Sequence, residues 1–215
     1  MLAEFVYCYL LRPWPLRPLA NWAIRQLLPA QVNFGEAVVV LNPDDPVVSG
    51  ALHFGVYEKA ETKFFQTACR EGMTFLDVGA NIGYYTALAA RAVGPNGKII
   101  ALEPDPESFK YLEQTIAANG TENVQAFPLA ASDAPATLPL YISADNRGDN
   151  RLYAPGESRP QVKVKAVATD SILAENKIGT IDLIKIDVQG YEPKVIAGLR
   201  DTISRSPNLT LLTEF

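Results

Sequence analysis

Several residue types that often carry chemistry are scarce in this sequence. It contains one histidine, His53, and two cysteines, Cys8 and Cys69. A single imidazole argues against metal sites that need several, so we expect no bound metal and a structural or surface role for His53. Two cysteines without a surrounding motif argue against a disulfide framework or a zinc site. They favour a reducing compartment, the cytoplasm.

Long apolar and long basic runs are also missing. The 215 residues are 48% hydrophobic and 20% charged, as in globular proteins, with a net charge of −5. Without a basic run we expect no nucleic-acid partner. No stretch reaches the roughly 18 apolar residues of a membrane span. The first residues lack a basic n-region and include Glu4, which argues against a cleaved signal peptide.

The composition divides the chain into an aromatic, proline-rich arm, residues 1–31, and one domain, residues 32–215. Residues 1–29 combine Trp14, Trp22 and three arginines, which suits a helix in peripheral contact with a membrane. The same composition suits an arm docked on its own domain or on a second subunit of a homo-oligomer. Four prolines would break a long amphipathic helix, so we favour the docked arm.

The most informative stretch is residues 74–83. The apolar run 74–78 predicts a buried parallel strand with Asp77 near its end, and Gly79 and Gly83 follow before a helix-forming segment. A second buried-strand run, residues 98–102, is followed by Glu103 and Pro104. In an open α/β sheet ligands bind at the carboxyl ends of the strands. We therefore expect these acids and glycines to line a pocket.

The glycine spacing separates two classes of cofactor. A dinucleotide fingerprint reads G-x-G-x-x-G, whereas Asn81 occupies the position of the middle glycine here. The charge of Asp77 would repel a pyrophosphate but suits a methionyl ammonium group, and Glu103 suits a pair of ribose hydroxyls. The pattern resembles class I S-adenosylmethionine-dependent methyltransferases rather than nicotinamide-dependent oxidoreductases. The alternative is a generic strand-turn-helix whose glycines serve packing alone.

Other stretches offer further candidates. Tyr57 and Glu58 either start a helix or reach over the cofactor, and the residues alone favour neither reading. Asp133 follows the third strand and either accepts from the adenine amine or forms an Asx turn. The polar loop 145–152 predicts a binding loop or lid, with Asn150 and Arg151 donating to the acceptor substrate.

Residues 181–192 form the second informative stretch. Lys185 and Asp187 alternate on one face of a predicted strand, and a lysine inside an apolar strand needs an anion beside it. The plain interpretation is a structural ion pair. Because Asp187 ends this strand as Asp77 and Glu103 end theirs, we favour a catalytic base, kept ionised by Lys185. Glu192 is the second candidate for that base.

These motifs together resemble the FkbM family of S-adenosylmethionine-dependent methyltransferases over about residues 35–215. They are Gly55-x-Tyr57-Glu58, Asp77-x-Gly79-x-Asn81-x-Gly83, Glu103-Pro104, and Lys185-x-Asp187 with Gly190 and Glu192. The resemblance implies O-methylation of a hydroxyl on a sugar, glycan or natural product. It places Asp77, Gly79 and Gly83 at the methionyl part, Glu103 at the ribose, Asp133 by the adenine, and Lys185 and Asp187 at the reacting hydroxyl. Gln189 stands where the family commonly has glutamate.

The predicted fold is α/β: a Rossmann-like class I methyltransferase with a mostly parallel twisted sheet and helices on both faces. The last predicted strand is residues 209–215, so we expect a sheet without the usual C-terminal strand hairpin, either because the sheet is abbreviated or because the sequence is truncated. An open sheet edge of this kind invites pairing with another chain. The alternative function is a binding or assembly module that holds the cofactor without efficient catalysis.

Overall fold

A computed structural model of the protein describes residues 17–213. Its helices are α1 (Arg17–Leu27), α2 (Pro46–His53), α3 (Lys59–Ala68), α4 (Tyr84–Val93), α5 (Pro106–Asn119), α6 (Thr169–Glu175), α7 (Glu192–Ala197) and α8 (Arg200–Arg205). Its strands are β1 (Gln31–Phe34), β2 (Ala37–Val40), β3 (Thr74–Val78), β4 (Lys98–Leu102), β5 (Val124–Phe127), β6 (Ala130–Ser132), β7 (Ala136–Tyr141), β8 (Gln161–Ala168), β9 (Leu183–Ile186) and β10 (Thr210–Thr213).

The largest sheet within residues 17–213 has five strands in the order β10-β9-β3-β4-β5, all parallel. From β3 the chain builds outward through β4 to β5, then returns to place β9 and β10 on the other side. The strand order therefore reverses between β3 and β9, and such a switch point opens a crevice at the carboxyl ends of the strands. This order confirms the predicted class I methyltransferase-like fold. In the described part, the sheet ends at β10.

Alternate residues of the central strands enter two apolar layers. Phe75, Ile99 and Leu183 pack with α3, α4 and β2 on one face. Leu76 and its neighbours Ile100 and Ile184 pack with α6 and α7 on the other. Because both faces are covered, the central strands are mostly apolar, and their charged side chains Asp77 and Lys185 lie one residue from the carboxyl ends of β3 and β9.

Helix α5 shows how local chemistry sets an element's limits. Asp105 accepts a hydrogen bond from the Glu107 N–H, Pro106 occupies the first turn, and Gly120 ends the helix in the left-handed conformation. These are the preferred residues for an N-cap, a first helical position and a C-cap. The start at Asp105 and the stop at Gly120 confirm the sequence prediction. The helix follows directly from Glu103 and anchors that end of the crevice.

Smaller elements surround the main sheet. Strands β6, β8 and β7 form a second sheet, in which Lys163 and Lys165 lie on the exposed face of β8. Helix α1 packs through Ala20 and Ile24 against α2. No helix among the described residues is long and apolar enough to cross a membrane. The part of the predicted arm before residue 17 lies outside the described residues.

Candidate active site

The site forms where the loops after β3 and β9 meet. Gly79 has φ +81°, and a Cβ built on it would overlap the carbonyl of Asp187. No other residue type combines this conformation with so close an approach of two backbones. Gly83, with φ +88°, lies against Leu112 and Thr115 of α5 in the same way. The two glycines therefore bring the ends of β3, β9 and α5 together.

A cleft opens at this junction, and six of the predicted site residues line it. Its walls are Gly79, Asn81, Glu103, Pro104, Leu140, Arg147, Gly148, Asn150, Leu152, Asp187, Val188 and Gln189. Carboxylates, amides, an arginine and apolar side chains thus face one space. Such a mixture suits a ligand with both polar and apolar parts.

Glu103 is the buried acid at the end of β4. Its two carboxylate oxygens accept hydrogen bonds from the backbone N–H groups of Asn81 and Asp105, each at 2.8 Å. Burial outweighs these bonds and raises the pKa of Glu103 to about 8. The side chain therefore ties the β3 turn to the β4 turn and titrates near neutral pH.

Lys185 lies at the centre of a buried charge network behind the cleft. Its Nζ is 3.2 Å from Asp187 Oδ2, 3.9 Å from Glu58 Oε2 and 4.6 Å from the centre of the Tyr85 ring. Burial alone would lower the pKa of the ammonium group, but the carboxylates of Asp187, Glu58 and Asp77 raise it above its usual value. The lysine therefore stays charged, as predicted from its place inside a strand.

Two more predicted residues belong to this network rather than to the cleft wall. Asp77 is the register partner of Lys185 across β3 and β9, and it accepts a 2.6 Å hydrogen bond from Thr86. Burial raises the pKa of Asp77 to about 6, and Lys185 and Thr86 limit that rise. Burial, together with Glu58 and Asp187, raises the pKa of the Tyr57 phenol well above its ordinary value. Both side chains support the charges beneath the cleft.

Asp187 belongs both to the network and to the cleft. Gln189 Nε2 donates to Asp187 Oδ1 at 2.8 Å, while Lys185 approaches the other oxygen. Three of the four non-glycine residues with positive φ in residues 17–213 lie around this point: Glu58, Asn81 and Gln189. Non-glycine residues rarely adopt this conformation, and such strain concentrates at functional sites. The carboxylate is thus held at both oxygens by strained, ordered surroundings.

A segment that we call the strap, residues 143–152, lies across the cleft. Arg147 contacts Asp105 Oδ2 at 2.5 Å, its backbone N–H donates to Asp45, and Asn150 donates to the same Asp105 oxygen. The space left in the cleft is about 50 Å³, well below the roughly 300–1,000 Å³ of ligand pockets. A nucleoside-sized ligand therefore requires the strap to move outward.

The strap is also held by helix α1. Arg17 contacts Asp145 Oδ1 at 2.7 Å, and Asn21 donates to Asp145 Oδ2 at 2.9 Å. Both donors lie on the same side of α1, so the carboxylate is gripped from two successive turns of the helix. The N-terminal helix thus bears directly on the covering of the cleft.

The remaining predicted residues lie outside the cleft. Asp133 forms an exposed ion pair with Lys194 at 2.7 Å, which lowers the pKa of that carboxyl. Arg151 bonds to Asp149 instead of pointing to the cleft. Glu192 accepts from the N–H groups of Val188 and Gly190, so its carboxylate stabilises the turn after β9. The proposed roles of these residues in binding and catalysis stay predictions.

Sequence reasoning missed Arg147 and the apolar wall formed by Leu140 and Leu152. The sequence predicts a binding loop at residues 145–152, which contains Arg147, but it indicates Asn150 and Arg151 as the donors. Arg147 is paired with Asp105, which lies 42 positions earlier in the chain. No local pattern signals that pair. Leu140 sits on β7, whose alternation could have indicated one buried face.

The donor set suits S-adenosylmethionine. Asn81 Oδ1 lines the cleft side of the turn and has no hydrogen-bond partner among the described residues. A buried acceptor without a partner is costly unless a ligand supplies a donor. Glu103 offers a carboxylate at the strand end that suits ribose hydroxyls. No group of three or more metal-ligating side chains occurs between residues 17 and 213.

The model of the Methyltransferase FkbM domain matches residues 77–214, more than half of the chain. The chain belongs to the FkbM methyltransferase family. S-adenosylmethionine is accordingly the cofactor of this FkbM protein. The match includes the Asp77 turn, Glu103 and the Lys185-Asp187 strand, which carried the sequence resemblance.

Two curated relatives are fungal proteins. "Methyltransferase 1" of Beauveria bassiana is 26% identical over 145 residues, covering 59% of this chain and 58% of the relative. "Methyltransferase sdnD" of Sordaria araneosa is 27% identical over 154 residues, covering 58% and 59%. The chain thus spans less than two thirds of the length of either relative.

Among solved structures, the methyltransferase FkbM of Methylobacillus flagellatus KT is similar to this protein. The similarity covers 92% of this chain and 49% of the other chain. The sequence identity is 15% and the TM-score 0.47. The assignment of the fold here rests on the strand order, and that of the family on the domain match.

The titration of Glu103 predicts pH-dependent cofactor binding. We expect the affinity for S-adenosylhomocysteine to rise on the order of tenfold or more from pH 6 to pH 8. With a pKa of about 8 the carboxyl is mostly protonated at pH 6, and binding through its ionised form must then release a proton. Calorimetric titration in buffers of different ionisation enthalpy measures both the affinity and the released proton.

The variant Glu103→Gln is the matched control for this prediction. It keeps the size of the side chain but cannot ionise, so it should bind more weakly at pH 8 and show little change toward pH 6. An affinity of the unaltered protein that is flat between these pH values would show that Glu103 does not bind the cofactor in its ionised form.

Proposed function

We propose that this FkbM protein transfers a methyl group from S-adenosylmethionine to a hydroxyl oxygen on a sugar, glycan or related natural product. The observation that carries the proposal is the position of Asp187. Asp187 lines the cleft beside Gly79 and Gln189, and its carboxylate contacts Gln189 Nε2 and Lys185 Nζ. A neutral alcohol is a weak nucleophile, so a carboxylate here has a clear use as a general base.

When bound, the cofactor supplies a methyl group on a sulfonium, whose carbon–sulfur bonding pair stays with sulfur as the methyl leaves. Glu103 and Asn81 would hold the nucleoside end, and the Asp77 side of the β3 turn would face the methionyl end. Asp187 accepts the hydroxyl proton as the acceptor oxygen forms its bond to the methyl carbon. Lys185 and Gln189 hold the two carboxylate oxygens in place during this step.

The strap gives the reaction a covered site. Arg147, Gly148 and Asn150 lie over the cleft and would exclude bulk water once they have closed again over the cofactor. Exclusion of water strengthens the charge interactions inside and keeps the oxygen and methyl aligned. Arg147 and Asn150 also bring hydrogen-bond donors to the mouth of the cleft, where the acceptor's hydroxyl groups would arrive.

The direct test uses S-adenosylmethionine with a labelled methyl group and a panel of acceptors. The panel holds free sugars, glycosides and hydroxylated polyketides, with primary amines and thiols of similar size for comparison. We expect label in methyl ethers only. Transfer to amines alone would contradict O-methylation. Cofactor binding without transfer to any acceptor would favour a binding or assembly module.

A further inference from the structure

One side of helix α1 packs on α2, and the opposite side is exposed. Ala20 and Ile24 are buried against α2. On the outer face the side chains of Leu19 and Trp22 are 65% and 61% exposed, and Leu27, the last residue of the helix, is 71% exposed. Large apolar side chains gathered on one helix face mark an interaction surface.

The charge around this face is unlike that of the rest of the protein. Of the chain's 19 basic and 24 acidic residues, residues 1–35 hold three arginines and one glutamate, Glu4. Arg25 is exposed beside Trp22 on α1. Residues 1–16, which precede the described part, have a similar composition, with Phe5, Tyr7, Tyr9 and Trp14. A basic, aromatic segment therefore begins a chain that is acidic elsewhere.

We propose that the outer face of α1 docks the protein on an anionic phospholipid membrane. A tryptophan and a leucine on one face, an arginine beside them, an exposed leucine at the end of the helix and no acid in the helix match the chemistry of the membrane interface. The apolar side chains enter the boundary between headgroups and acyl chains, and arginine pairs with lipid phosphates. Arg17 and Asn21 lie on another side of the helix, so they can keep their hydrogen bonds to Asp145 when the outer face contacts the membrane.

The charge distribution favours a membrane over a second copy of this chain. A symmetric pair would bring each face against its equal, so that Arg25, beside Trp22, would lie near the Arg25 of the second copy. The remainder of the protein is acidic. Its described surface also has no large apolar patch that could cover this face of α1. The other exposed large apolar residues are dispersed over the fold: Phe64, Tyr153, Val162, Ile203 and Leu211. An anionic bilayer satisfies both the apolar groups and the arginines.

The test is flotation of the full chain with vesicles of phosphatidylcholine, with and without about 30 mole per cent phosphatidylglycerol. We expect binding to the anionic vesicles, weakened by salt, and a loss on the order of tenfold or more in the variant Leu19→Glu/Trp22→Glu. The matched control is Ile203→Glu on α8, an exposed apolar residue far along the chain. It should bind as the unaltered protein does. Thermal melting and S-adenosylhomocysteine binding verify that both variants are folded.

Three outcomes would overturn the proposal. One is a full chain that floats with neither kind of vesicle, and another is a double variant that floats as well as the unaltered protein. The third is a dimer that the double variant dissociates, without vesicle binding, which would assign the face to a second copy. Because the double change leaves the cleft intact, these results are independent of the proposed methyl transfer.

Discussion

Replacing Asp187 by asparagine should lower methyl transfer by a factor of about 10²–10⁴, the usual contribution of a general base. Binding of S-adenosylhomocysteine should change little. Asparagine keeps the shape of the side chain, and the Gln189 amide can rotate to offer its oxygen where it now donates. What is lost is the acceptor for the hydroxyl proton. Single-turnover rates at a saturating acceptor concentration separate this chemical step from binding.

The control for this variant is Asp201→Asn, an exposed carboxylate on α8 away from the cleft, which should leave the rate unchanged. Full activity of the Asp187→Asn protein would remove Asp187 from the mechanism. The variant Gln189→Glu tests the role of Asp187 as a base in a second way. A second carboxylate beside Asp187 favours proton uptake by the pair, so the rise of activity with pH should begin at a higher pH, with the maximum largely kept.

Replacing Lys185 by methionine should lower the free energy of unfolding by about 3–5 kcal/mol, because it leaves buried carboxylates without their shared cation. For a protein of this size the melting temperature would fall by about 6–20 °C. The loss should be larger at pH 8 than at pH 5. Burial already raises the pKa of Asp77 to about 6, and removal of Lys185 raises it further. Ionisation at high pH then opposes folding, whereas protonation at low pH relieves it.

Thermal unfolding at both pH values measures the effect of the Lys185 change. Lys165→Met on β8 is the matched control, since that side chain is exposed and should shift the melting temperature by little. A variant at position 185 as stable as the unaltered protein would mean that Asp77, Asp187 and Glu58 are hydrated or neutral in the folded state. The network would then not need its lysine.

The sequence allowed the main sheet and the positions of its polar ends to be predicted, because both depend on local patterns. Apolar runs of strand length predicted β3, β4 and β9, and the acids near or directly after the ends of these strands are Asp77, Glu103 and Asp187. Parallel strands end at one edge, so their clustering followed from topology. The cap at Asp105 was readable for the same reason, since an acid followed by proline is a local signal.

Which of these residues line the cleft and which form the charge network behind it depends on partners far away in the sequence. Local patterns therefore could not predict it. Tyr85 donates to Glu58, 27 positions away, and Arg147 reaches Asp105, so roles assigned from a motif shifted between the cleft and the network behind it. Gly79 lines the cleft, and its missing side chain also makes room for the carbonyl of Asp187, a contact that no local pattern indicates. Long-range pairs of this kind are decided by tertiary packing, which a single sequence does not display.

Two of the ion pairs that hold the strap differ in their contact with solvent, and this difference makes the cover respond unequally to ionic strength. Asp105, which holds Arg147, is 3% exposed, whereas Asp145 and Arg17 are 30% and 39% exposed. Dissolved salt screens exposed charges over about 8–10 Å but hardly reaches buried ones. Raising the salt concentration therefore loosens the α1 end of the strap first and leaves the inner end fastened. We therefore expect salt to weaken the cover of the cleft beside helix α1 before it weakens the cover beside Asp105.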